Sequence, residues 1–347
     1  MLKKLLNEIR FTFHIEATGP ILIKDGETKK EAEERKETEK QRNIKHIHMR
    51  FVVDGNQRIF IPGSSIRGVW RSWCERIART ISNSVPLACD PFNNDIDNQN
   101  VSCSRRLEDK EIGTDKVYAE SCPICKLFGN TLQASRIKIS DAYIEGTTPD
   151  RKDLPIRDGI GIDRFTGGVS SGANFNYQYV INKIFVTEVN IRNFELWQLG
   201  LLGYLLRDFE EELVPMGFGK TRGLGKVKGK VDKATLVFYG PNRPEIDEPN
   251  KKVTIAGIGS LYSDGDKTQY CFAQEPPLKD IECDEVKKDP IKTTITLSAK
   301  QADSLFNSAA DFWAKSEKEG YFLTARKQRN KIAEEKKEKI AGGSKDA

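Results

Sequence analysis

The 347-residue sequence lacks any apolar run that approaches the ~20 residues needed to span a bilayer, so it predicts no membrane-spanning helix. Residues 1–10 lack the uninterrupted apolar stretch and the small-residue cleavage site of a secretory signal peptide. The seven cysteines include one close pair, which fits a reducing cytoplasm better than a disulfide scaffold. No internal repeat of fixed period is visible. We therefore expect a cytoplasmic protein whose hydrophobic content of 37% suffices for a core.

The sequence also has little excess of one charge. The 56 Lys and Arg residues nearly balance the 51 Asp and Glu residues, for a net charge of +5. Any contact with nucleic acid must then come from local clusters rather than from bulk charge. Residues 24–47 form a charged insertion, in which 15 of 24 residues are Asp, Glu, Lys or Arg, and they predict a solvated helix or a partly disordered surface insertion. Residues 326–347 predict a frayed basic helix that ends in a flexible tail.

Hydrophobic periodicity predicts the order of the main elements. Apolar residues after Pro62 recur at helical spacing and form a stripe with Trp70 and Trp73, which places both tryptophans in the core rather than on a base-stacking surface. The predicted elements are strand 8–16, helix 66–81, strand 135–144, strand 179–190, helix 194–213 and strand 226–238. This β-α-β-β-α-β order predicts an α+β fold of the ferredoxin-like type.

The composition shifts to Pro, Asp and Lys after residue 240. Strands near residues 253–258 and 293–298 and a helix over about 299–318 are indicated there. We interpret residues 241–347 as a C-terminal extension of a domain that occupies residues 1–240.

Four cysteines are grouped within one polar region. Cys122 and Cys125 have the separation at which both thiolates of a turn reach one tetrahedral ion, and Cys89 and Cys103 are the nearest candidates for the other two ligands. This pattern predicts a structural zinc site in an insertion over residues 84–130, with no coordination position left open for water. Unliganded buried thiols and a redox pair are the alternatives.

A glycine-rich basic loop covers residues 217–226. Its Gly-Lys-Thr invites a nucleotide-loop interpretation, but Val214 stands where a Walker loop needs a glycine, and the predicted order is helix then strand. A Walker loop is therefore excluded. The glycines let the backbone approach a ligand closely, and positive charge from Lys220, Arg222 and Lys226 suits a phosphate backbone. A tight helix-to-strand connection is the alternative.

Two further segments have the composition of binding elements. Residues 61–68 place backbone N–H groups and serine hydroxyls at a helix start, where an anion can bind, although the same residues would also suit a simple capped helix. Residues 159–173 are glycine-rich and too long for a simple hairpin turn, which predicts a projecting ribbon.

These segments together resemble the RAMP (repeat-associated mysterious protein) superfamily of CRISPR systems. The similarity covers about residues 8–238 and is greatest to the repeating backbone subunit of type III effector complexes, which act in antiviral defence. The matching segments, in the family's order, are IPGSSIRGVWR, CPICKLFGN, GIDRFTGGVSSGA and GFGKTRGLGKV.

The resemblance implies a modified ferredoxin-like (RRM-like) palm in residues 1–240, with a thumb hairpin over residues 157–180. Such subunits stack along a guide RNA and wedge the thumb between bases. The resemblance implies guide and target RNA and other effector subunits as partners, with RNA contacts from Ser64, Ser65, Arg67, Arg71, Arg164, Phe165, Lys220, Arg222 and Lys226.

The sequence departs from the cleaving members of the family at one position. An aspartate that supports metal-dependent cutting of target RNA is expected near His48. Either the subunit holds RNA without cutting it, or Asp25 serves instead, with Mg²⁺ as cofactor. His46 and His48 would alternatively act as acid and base in a metal-independent cleavage that uses the 2′-hydroxyl as nucleophile.

The leading hypothesis is a non-cutting, guide-RNA-binding subunit. The first rival is an endoribonuclease that cuts target RNA or processes precursor guide RNA. The second is a zinc-stabilised module that joins effector subunits through residues 241–347.

Overall fold

The computed structural model describes most of the chain. The described residues are 4–24, 45–47, 51–53, 57–81, 87–98, 100–108, 112–150, 153–241, 243–262, 270–273 and 275–315. Most of the predicted charged insertion and the whole of the predicted tail at 326–347 lie outside these residues. Within the described part of the chain, no helix is both long enough and apolar enough to cross a bilayer.

The described residues form strands and helices in groups along the chain. The strands are β1 (Asn7–Glu16), β2 (Lys45–Ile47), β3 (Phe51–Val53), β4 (Gln57–Ile61), β5 (Ile137–Ile139), β6 (Ala142–Ile144), β7 (Ile156–Ile162), β8 (Val169–Gln178), β9 (Ile184–Arg192), β10 (Lys228–Tyr239), β11 (Ile246–Asp247), β12 (Lys252–Ile255), β13 (Leu278–Glu282), β14 (Glu285–Lys288) and β15 (Lys292–Ser298). The helices are α1 (Gly63–Ile81), α2 (Cys103–Arg106), α3 (Thr114–Glu120), α4 (Pro123–Phe128), α5 (Leu196–Glu210), α6 (Ile258–Leu261) and α7 (Ala299–Lys315).

The largest sheet has nine strands, all paired in the antiparallel sense. Its order is β14-β15-β10-β1-β9-β6-β4-β3, and β5 also pairs with β9. Strands β11, β12 and β13 form a second antiparallel sheet, and β2, β8 and β7 form a third, in which β2 and β8 run parallel. The predicted α+β class is confirmed at this level.

Helices α1, α5 and α7 cover one face of the large sheet. Alternation along β1 points Phe11 and Phe13 to that face, where both are buried. The Trp70 ring of α1 meets the edge of the Phe13 ring at 5.2 Å between centroids, and Phe209 of α5 lies 5.4 Å from the same ring. Phe306 of α7 contacts Phe11 at 5.3 Å. Truncation of a fully buried aromatic residue costs about 3–5 kcal/mol, so this cluster anchors the three helices.

Residues 292–315 pack directly on the predicted palm. Strand β15 pairs with β10 along its length, and α7 lies against α5. Two glycines of α5 permit the close approach, because a Cβ on Gly200 would lie 2.2 Å from the Ala309 carbonyl oxygen and one on Gly203 would lie 2.5 Å from that of Phe306. The sheet and helices of the predicted extension therefore share one hydrophobic core with the rest of the chain.

The predicted strand over residues 135–144 is two short strands, β5 and β6. Between them Asp141 accepts a hydrogen bond from the Gly63 N–H at 2.7 Å, at the first residue of α1. A Cβ on Gly63 would lie 2.3 Å from the Ile139 carbonyl oxygen. The start of α1 therefore packs against the interruption between β5 and β6. The interruption comes from a contact between distant residues, which periodicity does not reveal.

The glycine-rich segment forms an antiparallel hairpin of β7 and β8. Its pairing runs from Ile156 opposite Gln178 to Ile162 opposite Val169. The strand predicted to begin at residue 179 instead begins at Ile184, after the left-handed residue Asn182, because residues up to Gln178 belong to this hairpin.

Candidate metal centre and nucleic-acid groove

The sulfur atoms of Cys89, Cys103, Cys122 and Cys125 converge in the interior. All four residues are buried, and their sulfurs lie within 4.8 Å of one another. The Cys89 sulfur is 3.6 Å from that of Cys125 and 3.7 Å from that of Cys122. Tetrahedral zinc with Zn–S bonds of about 2.3 Å would separate its sulfurs by about 3.8 Å. The four cysteines could therefore bind a metal ion such as zinc.

Short helices aim the cysteines at a common point. Cys122 precedes α4, with Pro123 as the first helical residue, and its sulfur accepts a hydrogen bond from the Cys125 N–H at 3.4 Å. The Cys103 sulfur, at the start of α2, accepts from the Cys122 N–H at 3.2 Å. Backbone donors aimed at sulfur favour thiolate, the form that binds metal.

The packed thiols need a cation to ionise together. Hydrogen bonds with Cys103 and Cys89, together with burial, raise the pKa of Cys122 and Cys125. Repulsion and desolvation of this kind are reversed by a metal ion, which is the largest local charge in such a site. The donor set therefore fits a divalent ion that prefers sulfur.

Two arginines donate toward the sulfurs from outside the cluster. Arg71 Nη2 of α1 is 3.6 Å from the Cys125 sulfur, and Arg106 Nη2 is 3.9 Å from the Cys103 sulfur. Four thiolates around a divalent ion leave two negative charges, which two guanidinium groups would offset. Arg71 also donates to the Gly129 carbonyl oxygen at 3.1 Å and to Glu75 at 3.0 Å, so three partners hold its side chain in place.

A groove lies between the start of α1 and the glycine-rich loop. A cavity of about 540 Å³ opens there, and Ser65 and Lys220, which are 155 positions apart in sequence, both line it. Further polar lining comes from Lys24, Ser72 and Arg76, and apolar lining from residues that include Val69, Trp73, Met216 and Phe218. Burial and then the charge of Arg76 lower the pKa of Lys220, and among the described residues the lining of the groove includes cations but no carboxylate.

Backbone hydrogen bonds join the glycine-rich loop to the residues that follow β1. Phe218 N–H donates to the Leu22 carbonyl oxygen at 2.8 Å, and Gly225 N–H donates to that of Pro20 at 2.7 Å. Gly217 and Gly225 have φ of +85° and +91°, and a Cβ on Gly225 would lie 2.4 Å from the Met216 carbonyl oxygen. The backbone therefore requires glycine at these turns for its shape.

The RNA-contact residues that the resemblance implies lie in different settings. Ser64 and Ser65 are exposed in the first turn of α1. Arg67 donates to the Phe128 carbonyl oxygen, and burial, followed by the charge of Arg71, lowers its pKa. Arg67 and Arg71 thus both hold the end of α4, Arg71 also contacts the cysteine cluster, and neither is among the residues that line the cavity.

The remaining cationic candidates divide between the loop and the hairpin. The Arg222 guanidinium lies 4.7 Å from the Phe175 ring centroid, which ties the loop to β8. Lys226 forms an ion pair with Glu212 at 2.5 Å. Arg164 and Phe165 are exposed at the hairpin tip, where the Phe165 side chain is fully accessible. The catalytic candidates Asp25 and His48 lie outside the described residues.

The sequence prediction missed two of the α1 residues that line the cavity, Trp73 and Arg76. Trp70 is buried as predicted, but Trp73 is only partly buried, and its indole N–H donates to Asp208 at 2.7 Å. Arg76, one turn later, places its guanidinium 5.1 Å from the Trp73 ring centroid. The signal available in the sequence was the i,i+3 spacing of a cation and an aromatic residue on the polar margin of the stripe.

Comparison with known proteins gives a matching family model and similar solved structures. A family model described as the RAMP superfamily matches residues 14–228, which is more than half of the chain. No curated protein sequence matches significantly. Among solved structures, the chain is similar to one described as "Type IV-B CRISPR Complex", with 18% sequence identity and a TM-score of 0.44. That similarity covers 64% of this chain and 90% of the other.

Proposed function

Because the chain belongs to the RAMP superfamily, we propose that it is a guide-RNA-binding backbone subunit of a type III CRISPR effector complex in antiviral defence. One observation carries the proposal. Ser65, at the start of α1, and Lys220, in the glycine-rich loop, line the same cavity although each comes from a separate motif. The start of α1 and the glycine-rich loop thus converge on an electropositive groove. Such a groove suits an RNA sugar-phosphate chain.

The strand order supports a ferredoxin-like palm. Strands β10, β1, β9 and β5/β6 are neighbours in that order, and all their pairings are antiparallel. Strand β1 is therefore parallel to β5 and β6 across the sheet, with α1 between them in sequence, and β9 is parallel to β10, with α5 between them. These are the two interleaved βαβ units of the ferredoxin-like fold. We assign residues 1–240 to this palm and residues 241–347 to its C-terminal extension.

The β7–β8 hairpin would serve as the thumb, within residues 157–180. Five large apolar side chains of the hairpin are exposed, and they are Ile156, Ile160, Ile162, Phe165 and Val169. An exposed apolar set of this size marks an interaction surface. In this proposal the set packs against the faces of RNA bases, while base pairing between guide and target supplies the sequence specificity.

The cysteine cluster would hold a structural zinc ion. With four sulfur ligands no position is left for a substrate or water, so the ion contributes to stability and not to chemistry. The metal would tie residues 84–130 to α1, because Arg71 of α1 donates toward the Cys125 sulfur of the cluster. Metal removal is expected to loosen this insertion and with it the helix that lines the RNA groove.

The proposal is tested by RNA binding in the assembled complex. The chain is purified with its neighbouring subunits, and guide-RNA affinity is measured over a range of salt concentrations. We expect the logarithm of the affinity to fall linearly with the logarithm of salt concentration, by about 0.7 per phosphate neutralised. Lys220→Gln should lower this slope, whereas Lys279→Gln, on the exposed part of β13, should not. An affinity that does not respond to salt would exclude the proposal.

The same complex separates a scaffold from an endoribonuclease. Labelled complementary RNA and Mg²⁺ are added, and the cleavage sites are mapped for wild type, Asp25→Ala and His48→Ala. A scaffold subunit predicts an unchanged pattern. Loss of one cut in a variant that still binds RNA would make the chain a nuclease subunit. Chelation that releases partner subunits while RNA binding persists would favour the zinc-stabilised interaction module instead.

A further inference from the structure

The cavity beside α1 combines an aromatic wall with unpaired positive charge. Among the described residues, neither Arg76 nor Lys220 has an acidic partner within ion-pair distance, and both line the cavity. By contrast, Lys226 at the end of the same loop is paired with Glu212. Two neighbouring cations without a counter-charge repel one another and are stabilised by a bound anion.

The aromatic wall is held in position before any ligand binds. The indole N–H of Trp73 donates to Asp208 at 2.7 Å, which fixes the orientation of the ring. Phe218 comes from the glycine-rich loop, whose backbone is tied to Leu22. Both rings are only partly buried, so aromatic surface faces the cavity next to the cations. A phosphate alone would need the cations but would leave these rings in contact with water.

We propose that this cavity holds one nucleotide of RNA, with its base against Trp73 and Phe218 and its phosphate on Arg76 and Lys220. The inference rests on the proposed function and makes it more specific, because it assigns a base site to the palm in addition to the backbone groove. The volume of about 540 Å³ lies within the usual range of small-ligand sites. Base stacking on aromatic side chains beside a cationic track is the common mode of single-stranded RNA binding.

The lining also indicates how selective the site is. No side-chain amide or carboxylate is among the described residues that line the cavity, and the hydroxyls of Ser65 and Ser72 are its neutral side-chain hydrogen-bonding groups. Discrimination between bases depends on donors and acceptors matched to their edges. The site should therefore accept all four bases with similar affinity, as a subunit that binds guides of any sequence requires.

The test uses the assembled complex and guide RNAs that carry one abasic position each, scanned along the guide. We expect one position in the guide at which removal of the base lowers the affinity of the complex for the guide RNA by about 5- to 140-fold. This is the range expected for one stacked base. The sensitivity at that position should disappear in Trp73→Leu and in Phe218→Leu and should persist in Trp73→Phe. Phe92→Leu, an exposed aromatic on the cysteine-containing segment, is the matched control and should behave as wild type.

Each outcome bears on one of the two proposals. Salt-dependent RNA binding without abasic sensitivity at any position would overturn the base site and leave the proposed function standing. Sensitivity that persists in both leucine variants would place the base elsewhere and would also overturn the site. Absence of salt-dependent binding would overturn the proposed function itself. If Trp73→Leu fails to fold, Phe218→Leu carries the test, because Phe218 lies in a loop and not in the helical core.

Discussion

The Arg71 guanidinium lies 3.6 Å from the Cys125 sulfur, so one hydrogen bond joins helix α1 to the cysteine cluster. The same helix contributes Ser65 and Trp73 to the cavity beside the glycine-rich loop. A 19-residue helix thus presents one side to the candidate metal centre and another to the candidate RNA groove. Metal binding and RNA binding are therefore expected to influence each other through the position of α1.

The first prediction concerns Arg71. Replacement by glutamine removes a charge and a donor that face the sulfurs, and outer-shell partners of this kind typically change metal affinity by about 10- to 100-fold. We expect Arg71→Gln to weaken zinc binding by that amount in a competition with a chromophoric chelator. Arg76→Gln is the matched control on the same helix, because Arg76 contacts the Trp73 ring and not the cluster. Equal zinc affinity in wild type and Arg71→Gln would contradict the proposed role.

The cysteine cluster shows what the sequence can predict. The separation of Cys122 and Cys125, together with two nearby cysteines, was enough to predict four residues whose sulfurs the structure brings together. The environment of Arg67 and Arg71 could not be predicted in this way. A guanidinium group binds phosphates, carbonyl oxygens and thiolates alike, so the residue type does not select among them. Their assignment to guide phosphates stays a prediction, and the structure has both donate to the end of α4.

The fold likewise has some features that the sequence predicts and others that it does not. Alternation along β1 and helical spacing in α1 reflect burial of one face, and the sequence predicted both elements closely. The break at Asp141 depends on a hydrogen bond to Gly63, 78 positions away, and no local pattern records such a contact. Trp73 was grouped with Trp70 because three positions separate them on one helix. A rotation of about 100° per residue nevertheless puts Trp73 at the margin of the stripe.

The second prediction concerns the glycine-rich loop. Gly223 and Gly225 both have left-handed φ, but a Cβ on Gly225 would lie 2.4 Å from the Met216 carbonyl oxygen, whereas the nearest atom to one on Gly223 is 3.9 Å away. Alanine in the left-handed region costs about 1–2 kcal/mol at either position. A steric clash adds about 1–3 kcal/mol at Gly225. Denaturant unfolding should therefore show a larger loss for Gly225→Ala than for Gly223→Ala, and equal losses would contradict this account of the loop.

The third prediction concerns the hairpin tip. Phe165 is fully exposed, so its replacement by alanine should leave the free energy of unfolding nearly unchanged. If the hairpin packs against bases, Phe165→Ala should weaken binding of target RNA to the guide-loaded complex by about 5- to 140-fold, as expected for one stacking contact. Phe92→Ala removes another exposed phenylalanine, on the cysteine-containing segment, and should have no effect on RNA binding. Unchanged RNA affinity in Phe165→Ala would remove this residue from the RNA surface.

The last prediction concerns a pair of buried carboxyl groups at the start of α5. Glu275 accepts hydrogen bonds from the backbone N–H groups of Leu196 and Trp197, at 2.7 and 2.6 Å, and so completes the helix terminus from the C-terminal part of the chain. Glu195 binds the Tyr118 hydroxyl and the Ala273 N–H nearby. Burial and then the charge of Glu195 raise the pKa of Glu275 well above its ordinary value of 4.5.

The sign of the pH effect follows from the raised pKa. The folded chain keeps a proton on Glu275 at pH values where the unfolded chain has lost it, so the stabilising contribution is complete below pH 4.5 and is lost as pH rises through the folded-state pKa. The wild type should lose up to about 1.4 kcal/mol per pH unit more than Glu275→Gln in this window. The measurement is the free energy of unfolding from pH 4.5 upward. Titration of the cysteines cancels in the difference between the two proteins, and Glu282→Gln, at an exposed site on β13, should follow the wild type. Parallel curves for wild type and Glu275→Gln would show that this carboxyl group does not hold a proton in the folded state.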